Sequence, residues 1–199
     1  MIVIIDTGCA NISSLKFAIE RLGYAPQISN DPNILKQADK LFLPGVGSAS
    51  EIMKNLKQLN LIEPIKALTQ PLLGICLGMQ VLMQSSEESN NAQSLVKTLG
   101  IIKGHVKKMQ VAPLRSPHMG WNTLSDTTNN ALFKDIPAES YFYFVHSYAL
   151  PSNICGIADC HYGAPFSAAI QQDNFYGVQF HPERSASVGA QLIKNFLEL

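Results

Sequence analysis

Charge is scarce in this sequence of 199 residues. Only 15% of the residues are Asp, Glu, Lys or Arg, and 15 basic residues balance 15 acidic ones. A formal net charge of zero gives no electrostatic reason to expect nucleic acid or an anionic membrane as the main partner. Apolar residues make up 46% of the chain, which is typical of a compact protein that buries a proper core.

Paired cysteines and long apolar runs are also missing. Neither a disulfide framework nor a C-x-x-C spacing links the four cysteines, Cys9, Cys76, Cys155 and Cys160, so we expect a reducing compartment and no metal site. The stretch from Met1 to Asp6 lacks a basic region and an apolar segment long enough for export or for spanning a membrane. We therefore expect a cytoplasmic protein that carries no cofactor.

Strands and helices alternate through the first half of the chain. Ile2 to Ile5, Lys40 to Pro44 and Leu72 to Ile75 are apolar runs typical of buried strands, whereas Ser48 to Leu59 and Ile62 to Leu68 have helical periodicity. Strands that alternate with helices predict a mainly parallel sheet with helices on both faces.

The second half changes character after about Leu99. Short β-like runs occur at residues 100–106, 141–148, 154–159, 166–170 and 176–180. We expect them to extend one side of the same sheet, partly antiparallel, before a closing helix from Ser187 to Leu197. No repeat or linker divides the chain, so residues 1–199 are predicted to form one α/β domain with a mixed, mainly parallel sheet flanked by helices.

One segment has the pattern of a nucleophile elbow. An apolar run leads into Gly-Ile-Cys-Leu-Gly, in which Gly74 and Gly78 flank Cys76. Such glycines let a strand bend sharply into a helix, with the sulfur at the tip and the first helical N–H groups pointing towards it. This setting favours a thiolate. Taken alone, the motif fits a structural cysteine at the end of a core strand equally well.

A second motif supplies the other groups that an activated thiol needs. A β-rich run ends in His181-Pro182-Glu183. In an extended segment residues i and i+2 point to the same side, so the ring of His181 and the carboxylate of Glu183 are predicted to be neighbours. A Cys, a His and a carboxylate that orients the His form the triad of thiol hydrolases. The alternative is a solvated turn with two incidental polar residues.

These two motifs, Gly-Ile-Cys-Leu-Gly-Met-Gln and Gln-Phe-His-Pro-Glu, resemble those of the class I, or triad-type, glutamine amidotransferase family, and the resemblance spans nearly the whole chain. It implies a glutaminase in which Cys76 attacks the glutamine carboxamide, His181 protonates the departing ammonia, and Glu183 holds the ring. By the family pattern, the oxyanion is bound by the backbone N–H groups of Leu77 and of Val46 or Gly47.

Other segments are similar to one branch of this family, the glutaminase subunits of imidazole glycerol phosphate synthase. These are Pro-Gly-Val-Gly at 44–47, Pro-His-Met-Gly-Trp-Asn at 117–122 and Tyr-Phe-Val-His-Ser-Tyr at 143–148. Gln80 lies one helical turn after Cys76, so its amide is predicted to hold the amino-acid end of glutamine. The resemblance assigns the same role to His146, Ser147 and Tyr148. The alternatives are a solvated helix position for Gln80 and a packed strand for 143–148.

The same branch implies a partner. In it the 117–122 segment faces a (β/α)₈ cyclase subunit in a heterodimer, which places His118, Met119, Trp121 and Asn122 at the interface. Ammonia crosses that interface, and the cyclase makes imidazole glycerol phosphate and aminoimidazole carboxamide ribonucleotide in histidine biosynthesis. Met119 to Trp121, between polar neighbours, look poorly suited to a continuous strand. A tryptophan inside the core is the alternative.

The opening loop departs from the family pattern at two positions. Thr7 and Ala10 stand where many family members have an aromatic residue and a glycine, so the role of the loop from Asp6 to Asn11 stays open, and Cys9 is interpreted as structural.

Two other functions fit parts of the same pattern. A cysteine peptidase or amidase would also need an elbow and a histidine. A catalytically silent interaction subunit would keep only the fold.

Overall fold

The computed structural model of the protein describes residues 1–8, 10–89, 95–125, 127, 130–152 and 155–199. Cys9 and the predicted start of a strand at Ile154 lie outside these ranges. No helix in the described ranges is long and apolar enough to cross a membrane.

The strands are β1 (Ile2–Ile5), β2 (Pro26–Ser29), β3 (Lys40–Gly45), β4 (Leu72–Cys76), β5 (Ser85–Ser86), β6 (Val96–Lys97), β7 (His105–Lys108), β8 (His118–Thr123), β9 (Tyr141–His146), β10 (Tyr148–Ala149), β11 (Gly156–Tyr162), β12 (Ala164–Gln172) and β13 (Phe175–Val178). The helices are α1 (Ile12–Arg21), α2 (Pro32–Gln37), α3 (Ala49–Gln58), α4 (Ile62–Lys66), α5 (Leu77–Gln80) and α6 (Ala186–Leu197), with single 3₁₀ turns at Ala131–Phe133 and Pro182–Arg184.

Within the described residues, seven strands form one sheet in the order β11-β12-β13-β4-β3-β1-β2. The five strands from β13 to β2 are parallel, and β12 and β11 continue the sheet as antiparallel strands. The predicted mixed, mainly parallel sheet is therefore confirmed. The inner parallel strands β1, β3 and β4 are short apolar runs, because side chains on both of their faces are buried.

Two apolar cores cover the two faces of the sheet. On β1, Ile4 packs into the core shared with α1 and α6, whereas Val3 and Ile5 pack into the core shared with α2, α3 and α4. The predicted closing helix is present as α6, and its buried residues include Leu192, Ile193, Phe196 and Leu197. The alternation of Val3, Ile4 and Ile5 between the two cores follows from the two-residue period of a strand.

Part of the second half does not join this sheet, so the expectation that all its strands extend one side is wrong. β8 and β9 form a separate antiparallel ribbon, and β10, β7, β5 and β6 form a small four-stranded sheet. The predicted run 100–106 is a strand only from His105. Strand pairing is decided by distant partners that a short apolar run does not identify.

The parallel strands bring their carboxyl ends to one edge of the sheet. β3 ends at Gly45, β4 at Cys76, and β13 ends three residues before His181. Ligands of open α/β sheets bind beyond this edge. The fold therefore collects all the predicted catalytic segments at one place.

Candidate active site

Cys76 lies in a sharp turn between β4 and α5. Its backbone has φ 55° and ψ −111°, a conformation that costs a residue other than glycine about 1–3 kcal/mol. The flanking glycines, Gly74 and Gly78, are needed because other backbone atoms lie where a Cβ would stand. Their own dihedral angles do not require glycine. A Cβ on Gly78 would lie 1.7 Å from the carbonyl oxygen of Leu43, and one on Gly74 would lie 2.6 Å from the oxygen of Gly78.

The predicted pair of His181 and Glu183 is present. His181 Nδ1 lies 2.8 Å from Glu183 Oε1, and both side chains are buried. His181 itself is extended, at φ −100° and ψ 96°, but the extended geometry does not continue, because residues 182–184 form a 3₁₀ turn that curls the carboxylate back to the ring. Ser185 holds this turn by donating from Oγ to the His181 carbonyl at 2.7 Å.

The electrostatics of His181 connect it to Cys76. Burial alone would lower the pKa of His181, but hydrogen bonds and charge interactions with Cys76 and Glu183 outweigh it and raise this pKa to about 10. The imidazole therefore holds its proton at neutral pH and can give it to a leaving group. The thiol and the ring are close enough to share a proton, as a Cys–His pair requires.

Cys76 and His181 open into one cavity of about 210 Å³. Every residue predicted for the oxyanion or for substrate lines this cavity: Val46, Gly47, Leu77, Gln80, His146, Ser147 and Tyr148. A larger cavity of about 530 Å³ lies near Phe133 and contains neither a cysteine nor a histidine. The smaller cavity is the candidate active site, because the predicted nucleophile Cys76 and the predicted base His181 both line it.

Glu88 also lines this cavity, and the sequence analysis missed it. Burial raises the pKa of Glu88 to about 7, against a hydrogen bond from the backbone of Ala49 that lowers it. A carboxylate here suits the ammonium group of an amino acid. Glu88 sits in a polar stretch without a motif, so no signal in a single sequence distinguishes it from a surface residue.

Gln80 is buried, with 3% of its surface exposed, so the alternative of a solvated helix position is wrong. Both hydrogens of its amide nitrogen are used within the protein, one by the carbonyl of Tyr148 and one by Oε1 of Gln179, each at 2.8 Å. Only the Gln80 Oε1 atom is left to meet a ligand, and an oxygen accepts hydrogen bonds.

His146 and His118 form a buried chain behind the cavity. His146 Nδ1 lies 2.9 Å from the Tyr148 carbonyl, which can only accept, so this nitrogen carries the proton. His146 Nε2 then accepts from His118 Nδ1 at 3.0 Å. Burial lowers the pKa of His118 to about 4 and that of His146 to about 3. Both rings are therefore neutral at physiological pH.

The segment that contains Trp121 forms strand β8, so the expectation of a poor strand is wrong. Its side chains alternate, and Met119 and Trp121 are 62% and 52% exposed. His118 points inward, and Asn122 donates to the carbonyl of His161 at 3.1 Å. Trp121 stacks edge to face on Tyr143 of the neighbouring strand. A tryptophan inside the core is thus excluded.

The described cysteines Cys76, Cys155 and Cys160 form no disulfide. In the described part of the chain, no three His, Cys, Asp or Glu side chains come together as a metal ion would need.

Three comparisons place these features among known proteins. The model of the glutamine amidotransferase class-I family matches residues 3–199. A protein of Vibrio parahaemolyticus named imidazole glycerol phosphate synthase subunit HisH is 60% identical over 199 residues, which cover 100% of this chain and 98% of that protein. The protein of the same name from Shigella flexneri is 58% identical over 198 residues, covering 100% and 99%.

The fold is shared with solved structures of lower identity. A crystal structure of a glutamine amidotransferase superposes with a TM-score of 0.73, at 18% identity, over 98% of this chain and 97% of that one.

Proposed function

Because the chain belongs to the class I glutamine amidotransferase family, we propose that it is the glutaminase subunit of imidazole glycerol phosphate synthase, acting in histidine biosynthesis. Relatives that carry this subunit's name are 57–60% identical over the full length. The observation that carries the proposal is the cavity in which the elbow cysteine meets the buried His181–Glu183 pair. In this synthase, residues 1–199 act as one amidotransferase domain.

The chemistry begins with the sulfur of Cys76. Its thiolate attacks the side-chain carbonyl carbon of glutamine, and the C–N bond breaks as the His181 imidazolium gives its proton to the departing nitrogen. This releases ammonia and leaves a γ-glutamyl thioester. The now neutral imidazole takes a proton from water, whose oxygen attacks the thioester to give glutamate and the free sulfur. Glu183 keeps the ring oriented through both steps.

The oxyanion of each tetrahedral intermediate needs donors that are already in place. We assign this role to the backbone N–H of Leu77, directly after the nucleophile, and to that of Val46 or Gly47. All three residues line the cavity with Cys76, and Gly47 takes φ 93°, which lets the peptide unit before it turn. Loss of one such donor typically raises the barrier by about 3 kcal/mol.

The amino-acid end of glutamine is held opposite these groups. Gln80 Oε1 and the Glu88 carboxylate accept hydrogen bonds from its ammonium group, and the backbone of His146, Ser147 and Tyr148 contacts the remaining atoms. Drug-sized ligands occupy cavities of about 300–1,000 Å³. A cavity of about 210 Å³ therefore suits a free amino acid better than a peptide, which favours a glutaminase over a peptidase.

The partner is the cyclase subunit, a (β/α)₈ barrel that forms a heterodimer with this chain. The outer face of the ribbon, with Met119, Trp121 and Tyr141 more than half exposed, is an apolar surface suited to a permanent partner. Ammonia passes across this interface to the cyclase, which makes imidazole glycerol phosphate and aminoimidazole carboxamide ribonucleotide. The lack of a disulfide among the described cysteines favours the cytoplasm as the place of action.

The test is an assay of glutamate and ammonia released from glutamine by the chain alone and with the cyclase. We expect substantial turnover only in the complex, because the Val46–Gly47 peptide can turn its N–H away until the partner docks. Cleavage of peptides without glutaminase activity would favour a peptidase. Glutamine binding without turnover in the complex would favour a silent subunit.

A further inference from the structure

We propose that Gln179 is a positioning residue for the glutaminase reaction, in which its side-chain N–H holds the sulfur of Cys76 for attack. The inference rests on the proposed function and adds a role for a residue that the sequence analysis treated only as part of a motif. It depends on three features: where Gln179 stands, how its amide is oriented, and what else the sulfur contacts.

Gln179 directly follows strand β13, next to the nucleophile strand β4. Val178 and Ile75 are paired in register on these parallel strands, so the residue after each, Gln179 and Cys76, are neighbours. The backbone N–H of Gln179 is fixed by the Ala168 carbonyl at 2.8 Å. Its side chain is fully buried, and its Nε2 donates to Cys76 Sγ at 3.6 Å.

The orientation of this amide is set from the other end. Gln80 Nε2 is a donor, so the atom of Gln179 that it meets at 2.8 Å must be the oxygen. The nitrogen of Gln179 is thereby turned towards the sulfur. Gln80 itself is held by the Tyr148 carbonyl, which also accepts from His146. The donor that faces Cys76 is thus the end of a buried chain of hydrogen bonds, in which the donor and the acceptor of each bond are fixed.

Besides its contact with the His181 ring, the sulfur has an acceptor as a neighbour, which is why a second donor matters. Cys76 Sγ lies 3.9 Å from the carbonyl oxygen of Val145, which can accept from a thiol but repels a thiolate. The Gln179 N–H offsets that repulsion and fixes the direction of the sulfur in a turn that is already strained at φ 55°. A hydrogen bond to a charged group is strong enough to change a rate about tenfold or to shift a titration midpoint by about one unit.

The test uses the complex with the cyclase and two readouts. Gln179→Glu keeps the oxygen that Gln80 needs but presents an acceptor to the sulfur. We expect the pH midpoint of Cys76 alkylation by iodoacetamide, followed by peptide mass spectrometry, to rise by about one unit. The kcat for glutamine is expected to fall at least about tenfold, with KM changed less than about threefold. Ammonia-driven synthesis stays normal, which confirms the fold.

Gln171→Glu is the matched control, since Gln171 lies on strand β12 and bonds to Tyr176 and Asn130, away from the sulfur. It should leave the alkylation profile unchanged. If Gln179→Glu does not fold, Gln179→Met removes the donor without adding a charge and should shift the profile in the same direction. An unchanged alkylation profile in the folded Gln179 variant would overturn the inference. Because alkylation needs no glutamine turnover, it separates this result from a failure of the proposed function.

Discussion

At the scale of single residues, the site combines a strained cysteine, the proposed nucleophile, with a histidine that keeps its proton. Cys76 takes a backbone conformation that is rare outside glycine, which exposes its sulfur to a cavity although the residue is buried. His181 holds its proton because Cys76 and Glu183 outweigh the effect of burial. Reaction at neutral pH follows from this pairing.

Replacing Glu183 with glutamine removes the charge behind the ring and nearly keeps its shape. We expect the pKa of His181 to fall from about 10 by at least about one unit, because one of the groups that raise it is lost. The kcat for glutamine should fall about 100-fold. NMR titration of the imidazole in the variant measures the pKa. Glu198→Gln, on an exposed helix end, is the control, and an unshifted His181 in Glu183→Gln would contradict the assignment.

The neutral pair of His118 and His146 makes the fold sensitive to acid. Both pKa values are lowered in the folded state, to about 4 and about 3, from 6.5. Below pH 6.5 the unfolded chain binds protons that the folded chain does not, so stability falls as the pH falls towards 4. Between pH 7.5 and 5, we expect the free energy of unfolding to fall by about 1–2 kcal/mol less in His118→Gln than in the wild type.

Urea denaturation at the two pH values measures this difference. The exposed His161 provides the control variant His161→Gln, which should lose as much stability as the wild type. Equal losses for His118→Gln and wild type would show that the buried pair does not take part in acid destabilisation.

At the scale of elements, close contact between β4, α5 and β3 fixes the position of the sulfur. The first turn of α5 touches the backbone of β3 at Gly78, so the strand and helix cannot separate without moving Cys76. This contact explains a glycine that has no unusual φ of its own. It also shows why the four-residue helix is stable, since packing and not its length supports it.

Gly78→Ala is therefore expected to cost more than about 3 kcal/mol of unfolding free energy, because its Cβ would lie 1.7 Å from the Leu43 carbonyl oxygen. Gly23→Ala separates this effect from backbone strain, since its φ is 88° but nothing lies within 4 Å of the new Cβ. Gly23→Ala should lower the free energy of unfolding by about 1 kcal/mol. Thermal and urea unfolding measure both, and equal losses would contradict the steric explanation.

The elements also show what a single sequence can and cannot predict. The elbow around Cys76 and the His181–Glu183 pair carry local patterns, so both were predicted from spacing and turn chemistry. The ribbon of β8 and β9 was not, because its pairing depends on contacts between distant segments. Glu88 and Gln179 were missed as functional residues for the same reason: only the folded chain brings Glu88 to the cavity and Gln179 to the sulfur.

At the scale of the whole molecule, the catalytic cavity and the exposed ribbon are connected through one strand. β9 pairs with β8 and leads directly into His146, Ser147 and Tyr148, which line the cavity. Arg184, one residue after Glu183, lies over the Tyr143 ring at 5.8 Å. Under the proposed function, a partner that binds the ribbon therefore stands close to the place of ammonia release.

Trp121→Ala should weaken binding of the cyclase, because a half-exposed aromatic residue at the centre of an apolar face is typical of an interface hot spot. We expect a loss of about 2 kcal/mol, or about 30-fold in Kd. Titration calorimetry with the purified cyclase measures it. Ile28→Ala, exposed on the opposite edge strand β2, should bind normally. Equal affinities of both variants would place the partner on another surface.

The central claim, that Cys76 generates ammonia for a partner, is tested most directly by isotope transfer. The complex is supplied with glutamine labelled with ¹⁵N at the side-chain amide together with unlabelled ammonium, and ¹⁵N is measured in imidazole glycerol phosphate. Wild type should place the label in the product, whereas Cys76→Ala should make the product from ammonium alone, without label. Labelled product from Cys76→Ala, or loss of the ammonium-driven reaction in that variant, would contradict the account.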